Sequence, residues 1–187
     1  VANKMKKCGM KMEKGLVHIY TGEGKGKTTA SIGLGIRAVG RGKTVYMVQF
    51  LKGSETGEMT TLKKLEPGFK LFRFEKERGF VWNLNKEEIE ELKAEIANAF
   101  DFIRDTLKNN CCDVLILDEI MGVLGNGLVE VDEVLDIIKN KPEHVELILT
   151  GRNVPEKLIE AADYVSQINC IKHPFEKGID ARKGIEY

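Results

Sequence analysis

The densest cluster of chemically useful residues lies near the start of the chain, where residues 20–31 read YTGEGKGKTTAS. A phosphate loop follows the pattern G-x-x-x-x-G-K-[ST], and its slots fall here on Thr21 to Thr28, with threonine in place of the first glycine. Gly22, Gly24 and Gly26 let the backbone turn its amides inward with no side chain in the way, and the following helix adds its dipole. We assign Gly22, Glu23, Gly24, Lys25, Gly26, Lys27, Thr28 and Thr29 to the nucleotide, Lys27 reaching the phosphates and Thr28 setting its hydroxyl on Mg²⁺. A merely flexible surface loop is the competing reading. The β-rich run before the loop and the amphipathic run after it argue against that.

A second element fits the first. The apolar run VLILDE, residues 114–119, ends in Asp118 and Glu119, and carboxylates at a strand end suit a magnesium ion, held directly or through water. Alone this is weak, because strands often end in a solvated acid; beside a phosphate loop it gains weight. A guanine pocket would need N-K-x-D after a strand. The nearest approach, Asn140 to Glu143, precedes one and reads as a proline turn.

A bound triphosphate can be attacked by water, by a substrate hydroxyl, or elsewhere on the nucleotide. The first two routes need a group to orient or deprotonate the nucleophile, and Glu119 is the candidate, which keeps ATPase and kinase readings open. A non-catalytic, nucleotide-dependent binding module is also open. None of these explains Phe80 and Trp82, in RGFVW at residues 78–82, Trp82 being the only tryptophan. Such rings are usually core anchors. Two residues apart in a loop, they would project to one side of an extended segment and form an apolar wall for a large flat second substrate.

The elements that must position these residues alternate along the chain. Apolar, β-branched runs at 16–21, 43–50, 69–74, 112–118, 144–150 and 164–171 read as strands. Helical patterns lie between them at 27–40, 56–65, 86–109, 131–139 and 155–162, the third capped by Asn85 with Glu87 and Glu88 in its first turn. The alternation predicts a single-domain α/β fold, P-loop NTPase-like and RecA-like, with a mainly parallel sheet and helices on both faces. Residues 76–85 and 121–130 lack periodicity and follow predicted strands, so they should flank the ligand crevice as loops. We expect an N-terminal segment, residues 1–15, then one domain over 16–187 whose polar C-terminal tail packs over the same face.

Composition narrows the partners. With 187 residues, 29 Lys plus Arg and 29 Asp plus Glu, the chain has no net charge to attract nucleic acid or an anionic membrane. Four cysteines without C-x-x-C spacing read as reduced thiols, and no apolar stretch follows the lysine-rich start, so we expect a cytoplasmic protein. His18, His144 and His173 show no metal spacing, and the first two read as strand residues.

Several stretches taken in order are more specific than any single one: TGEGKGKTTAS, RAVGRGKTVYMVQFLKG, Gly57-Glu58, GFVW, VLILDE, Thr150-Gly151-Arg152 and the ending KHPFEKGIDARKGIEY. Together they resemble the phosphate-loop ATP:corrinoid adenosyltransferases over nearly the whole chain. The resemblance implies transfer of the adenosyl group of ATP to the cobalt of a reduced corrinoid, with triphosphate leaving. It implies that Gly22 to Thr28 hold the triphosphate, that Thr28 and Glu119 hold Mg²⁺, and that Arg152 lies close by. Phe80 and Trp82 then match the aromatic pair that displaces the lower axial ligand and leaves a four-coordinate Co(II). Catalysis would rest on Lys27, Phe80, Trp82 and Arg152; a homodimer, with residues 1–15 covering the partner's site, and an electron-donating reductase are implied as partners. This sequence departs from the family's pattern at Glu23, where Asn or Asp is expected, and in the glycine-rich IMGVLGNG after Glu119, where aromatic residues are expected.

Overall fold

The computed structural model describes residues 14–53 and 55–186, so the expected N-terminal segment lies almost wholly outside the described residues. Among the described residues six strands form: β1 Val17–Thr21, β2 Val45–Gln49, β3 Phe69–Phe72, β4 Val114–Asp118, β5 Glu146–Thr150 and β6 Tyr164–Gln167. They make one sheet in the order β3-β2-β4-β5-β1-β6, with every neighbouring pair parallel. Among the described residues six α-helices connect or flank them: α1 Lys27–Val39, α2 Gly57–Lys63, α3 Lys86–Lys108, α4 Ile120–Gly125, α5 Val131–Asn140 and α6 Glu156–Ala161.

Strand alternation feeds two cores, one on each face of the sheet. Val114 and Ile116 of β4 and Ile148 of β5 point to the face covered by α1 and α2, where they meet Leu62, Ile32 and Val39. Leu115, Leu117, Leu147 and Leu149 point to the other face and pack on α3, α4, α5 and α6. Helix α3 earns its length from one apolar stripe, Leu92, Ile96, Ala99, Phe100, Ile103 and Leu107, spaced three and four apart. Each large side chain so buried contributes roughly 2 kcal/mol. Its start is fixed by a capping box, Glu88 N–H donating to the Asn85 side chain and Asn85 N–H to Glu88.

The parallel arrangement brings every strand's carboxyl end to one edge. Tyr20 is registered with Thr150, and Gln49 with Asp118, so β5 stands between the strand that carries the phosphate loop and the strand that carries the acids. The ends of four strands therefore line up along the crevice expected of open α/β sheets.

Two expectations need correction. Residues 121–130 are not a loop throughout, because α4 begins at Ile120, buries Ile120, Met121 and Val123, and runs through two glycines. Gly122 is tolerated there because its side has little room: a Cβ would stand 3.1 Å from Leu51 Cδ1 and 3.2 Å from a Glu119 oxygen. His144 lies in the turn before β5, not in the strand, which starts at Glu146.

At Gly151 the chain turns with φ 137°, and a Cβ would stand 2.6 Å from Met121 Cβ. Both strain and overlap oppose any side chain. Gly151→Ala should lower stability by about 2 kcal/mol in urea unfolding, a loss that trimming Met121 to alanine does not relieve, because alanine keeps the Cβ that the new side chain meets.

Candidate functional site

The phosphate loop is strapped from behind by the chain that leaves β6. Ile168 N–H donates to Thr21 O at 2.8 Å and Gly24 N–H donates to Ile168 O at 2.7 Å. Gly22, at φ 100°, approaches so closely that a Cβ would sit 2.4 Å from Ile168 O. The amides are thereby held in a fixed curve. Lys27 reaches back across it, its Nζ donating to Gly22 O at 2.6 Å and Gly24 O at 2.9 Å. Burial, then the nearby Arg152 charge, hold this ammonium below its ordinary pKa, while Glu119, Glu23 and Asp118 pull the other way.

Asp118 is the centre of the polar network. It is 0% exposed, yet Thr28 Oγ1 donates to Oδ1 at 2.9 Å, Thr150 Oγ1 donates to Oδ1 at 2.7 Å and Gln49 Nε2 donates to Oδ2 at 3.2 Å. Thr150 also accepts the Glu119 N–H at 2.9 Å, which fixes Glu119 in the left-handed region at φ 62° and directs it into the cleft. Burial, then the Asp118 charge, push the Glu119 carboxyl above its usual range against Lys52, Lys27 and Arg152.

Opposite the loop, the aromatic pair is exposed. Phe80 and Trp82 are 66% and 74% accessible and stack on each other, with ring centroids 4.5 Å apart and planes 6° from parallel. The backbone is not extended as expected; residues 81–83 make a short 3₁₀ turn that brings the rings face to face. Core anchors would be covered, and these are not. The loop beneath them is tied to α3 by Arg78, which donates to both Glu91 and Glu95, and by Lys76 to Glu91.

These parts line one open cleft of about 1270 Å³. On its walls the structure brings together Glu23 through Thr29, Glu119, Phe80, Trp82 and Arg152. Gly22 and the buried Asp118 stand just behind. Arg152 pairs with Glu23 at 3.0 Å, so the residue that departs from the family's loop pattern meets the arginine of the Thr-Gly-Arg stretch. The chain's end also reaches the cleft: Glu186 accepts from Lys25 at 2.7 Å, with Ile185 and His173 on the same wall.

Residues 13–187 match the family model described as ATP:corrinoid adenosyltransferase BtuR/CobO/CobP. The chain belongs to the ATP:corrinoid adenosyltransferase family. A corrinoid adenosyltransferase of Escherichia coli strain K12 is 33% identical, the match covering 94% of this chain and 87% of that one. Corrinoid adenosyltransferase CobA of Salmonella typhimurium is also 33% identical over 94% of this chain and 87% of its own, and one from Sinorhizobium sp is 36% identical over 94% and 81%. Among solved structures, the flagellar accessory protein FlaH of Methanocaldococcus jannaschii has TM-score 0.53 at 18% identity, covering 83% of this chain and 72% of that one. A KaiC-like protein, PH0186 of Pyrococcus horikoshii, has TM-score 0.50 at 16% identity, covering 84% and 73%. These structures bear on the fold alone, and agree with the P-loop NTPase-like architecture.

The donor set of this adenosyltransferase suits Mg²⁺. Thr28 Oγ1 gives its proton to Asp118 and keeps its lone pairs, and Glu119 adds a carboxylate, all hard oxygen. Among the described residues no cluster of three His, Cys, Asp or Glu forms a metal cage, so the nucleotide's own phosphates would supply much of the coordination.

Sequence reasoning missed an inner ring of polar residues. Arg73 donates from Nε and Nη2 to Gln49 Oε1 at 3.0 and 2.7 Å and from Nη2 to Thr56 Oγ1 at 2.9 Å, while Gln49 Nε2 also lies 3.3 Å from Glu58 Oε1. Glu75 was missed too. Its Oε2 accepts the Leu51 N–H at 2.6 Å, and its Oε1 is buried with no hydrogen-bond partner among the described residues. Burial pushes the Glu75 carboxyl up to about 7 against that hydrogen bond, Glu95 adding to the push and Arg78 and Arg73 opposing it.

Between the ordinary value of 4.5 and about 7, the folded chain holds a proton here that the unfolded chain has lost. Glu75 therefore favours folding less and less as pH rises through that window. Glu75→Gln keeps an acceptor for Leu51 N–H; it should leave stability unchanged near pH 4 and raise it by on the order of 2 kcal/mol near pH 8 in urea titrations.

Proposed function

We propose that this chain transfers the 5′-deoxyadenosyl group of ATP to the cobalt of a reduced corrinoid and releases triphosphate. The observation that carries this reading is the exposed Phe80–Trp82 stack on the wall of the same cleft as the phosphate loop. A nucleotide-cleaving site needs no such wall, whereas a planar macrocycle does.

In the reaction the Co(I) lone pair forms a bond to C5′, the C5′–O5′ bond breaks, and its electrons leave on triphosphate. Cobalt is formally oxidised to Co(III). The nucleophile has no proton to lose, so no general base is required; positioning and charge stabilisation suffice. The loop from Gly22 to Thr28 holds the triphosphate with the amides left to it, the Gly24 N–H being given to Ile168 O, and Lys27, released from Gly22 O and Gly24 O, neutralises charge on the departing oxygens. Arg152 stands beside the loop to do the same. Mg²⁺, when bound, lowers the cost of gathering negative charge on the leaving group. Thr28 and Glu119 would hold it, and Asp118 orients Thr28 from behind. Phe80 and Trp82 exclude water from the cobalt face and offer no ligand atom, which favours a four-coordinate Co(II) that is easier to reduce. A homodimer and an electron-donating reductase complete the proposal and rest on the family resemblance, and a cytoplasmic setting rests on the cysteine spacing and the lysine-rich start with no apolar stretch behind it.

The test mixes the protein with ATP, Mg²⁺ and chemically reduced cobalamin and follows the absorbance of a new Co–C bond. Absence of adenosylated product would sink the reading. Lys27→Ala should slow transfer roughly 10²-fold with every corrinoid. Trp82→Ala should slow chiefly the reaction supplied with Co(II), leaving Co(I) near the unaltered rate. Equal losses on both supplies would instead make Trp82 a packing residue.

A further inference from the structure

The aromatic pair sits on a loop that is fastened on two sides. On one side Arg78 and Lys76 tie it to α3 through Glu91 and Glu95. On the other it meets the chain leaving β2, because β2 and β3 run parallel with Val48 beside Phe72. There Leu51, in the left-handed region at φ 53°, donates its N–H to Glu75 Oε2, and Gly53 lies so close that a Cβ would stand 2.7 Å from Arg78 O. Leu51 also meets α4, since a Cβ on Gly122 would stand 3.1 Å from Leu51 Cδ1. Glu75 is thus a polar link between the aromatic wall and the side of the cleft that carries Glu119.

This link takes no part in the mechanism above, and its two oxygens are treated differently. Oε2 has the Leu51 N–H, whereas Oε1 is buried with no hydrogen-bond partner among the described residues. A buried carboxylate oxygen without a donor is costly when charged and far less so when it carries a proton. The neighbouring charges do not remove that cost. Glu95 bears on it from α3 with like charge; Arg78 and Arg73 oppose, yet Arg78 is engaged with Glu91 and Glu95, and Arg73 with Gln49 and Thr56. Lys52 and Lys76 line the same wall, Lys76 being held by Glu91. Burial accordingly leads the causes that push the carboxyl up to about 7.

We infer that Glu75 is a positioning residue for the aromatic wall: protonated on Oε1 it holds the aromatic loop to the exit of β2, and once that proton passes to water the loop parts from this support and the reaction starting from Co(II) slows. The inference rests on the transferase reading, which gives Phe80 and Trp82 their work on Co(II). The Arg78 clamp keeps the loop on α3 in both states, so the change is confined to how the rings stand over the cleft.

Trp82 is the only tryptophan, so its fluorescence reports the wall without any substrate. In the unaltered chain the emission should shift with a midpoint at about pH 7. In Glu75→Gln, which keeps an acceptor for the Leu51 N–H but has no proton to lose, that step should be gone. His173, on the same cleft, is present in both chains and so cannot produce the difference. With Co(II) and Co(I) supplied in parallel, the ratio of the two rates should fall roughly tenfold between about pH 6 and about pH 8, the drop in the protonated fraction across that window. Glu75→Gln should hold the acid-side ratio throughout. Glu75→Ala, which removes the link, should show the low alkaline ratio at every pH; if it fails to fold, the glutamine variant decides. A ratio that does not change with pH, one that falls equally in Glu75→Gln, or a fluorescence step that survives that substitution would overturn the assignment. Failure of the transferase reading would look different: no Co–C bond from either cobalt supply, with the Glu75-dependent fluorescence step intact.

Discussion

A fully buried carboxylate, Asp118, sets the geometry on which the rest of the site depends. An ionised group so placed costs several kcal/mol unless its lone pairs are satisfied. Here the satisfaction comes from three elements at once: Thr28 at the head of α1, Thr150 at the end of β5 and Gln49 at the end of β2. Any shift of the phosphate loop relative to these strand ends would strip a donor from a buried charge. The loop, the Glu119 backbone and the floor under Glu58 are thus held in one frame, which is what a reaction governed by positioning requires.

Three of the cations in the cleft rest on partners within that frame. Lys27 rests on the loop's carbonyls, Arg152 on Glu23 and Lys25 on Glu186. The last two are exposed pairs of small intrinsic worth, so exchanging them for phosphate oxygens costs little. The aromatic loop is built differently. Its rings are bare, but the clamp of Arg78 on Glu91 and Glu95 ties the segment beneath them to a long, well-packed helix. Rigid support under exposed apolar surface is the arrangement expected of a binding wall.

What was legible in the sequence was what local pattern encodes. The phosphate loop, the acids ending VLILDE and the alternation of strands with helices each declare themselves within ten or fifteen residues, and the Asn85 cap does so within four. Gln49 and Arg73 were illegible because each sits at the end of a β-type run where a polar residue reads as solvated; only the parallel pairing of β2 with β3 and β4 brings them together. Glu75 was hidden for the same reason, its partner being the backbone of Leu51 on another strand's loop. Helix α4 escaped notice because its glycines argue against a helix, while the tight approach of Leu51 that rewards one of them is a tertiary fact. The family's likeness extended the reading of Phe80 and Trp82, which pattern alone left between core anchor and substrate wall.

In the proposed reaction the loop holds a leaving group, and the bond broken is at C5′, not at phosphorus. Phosphorus-31 spectroscopy of the products, formed from ATP, Mg²⁺ and a reduced corrinoid, tests this most directly. Inorganic triphosphate appearing in equal amount with the adenosylated corrinoid is the predicted result. ADP with phosphate, in place of triphosphate, would contradict it.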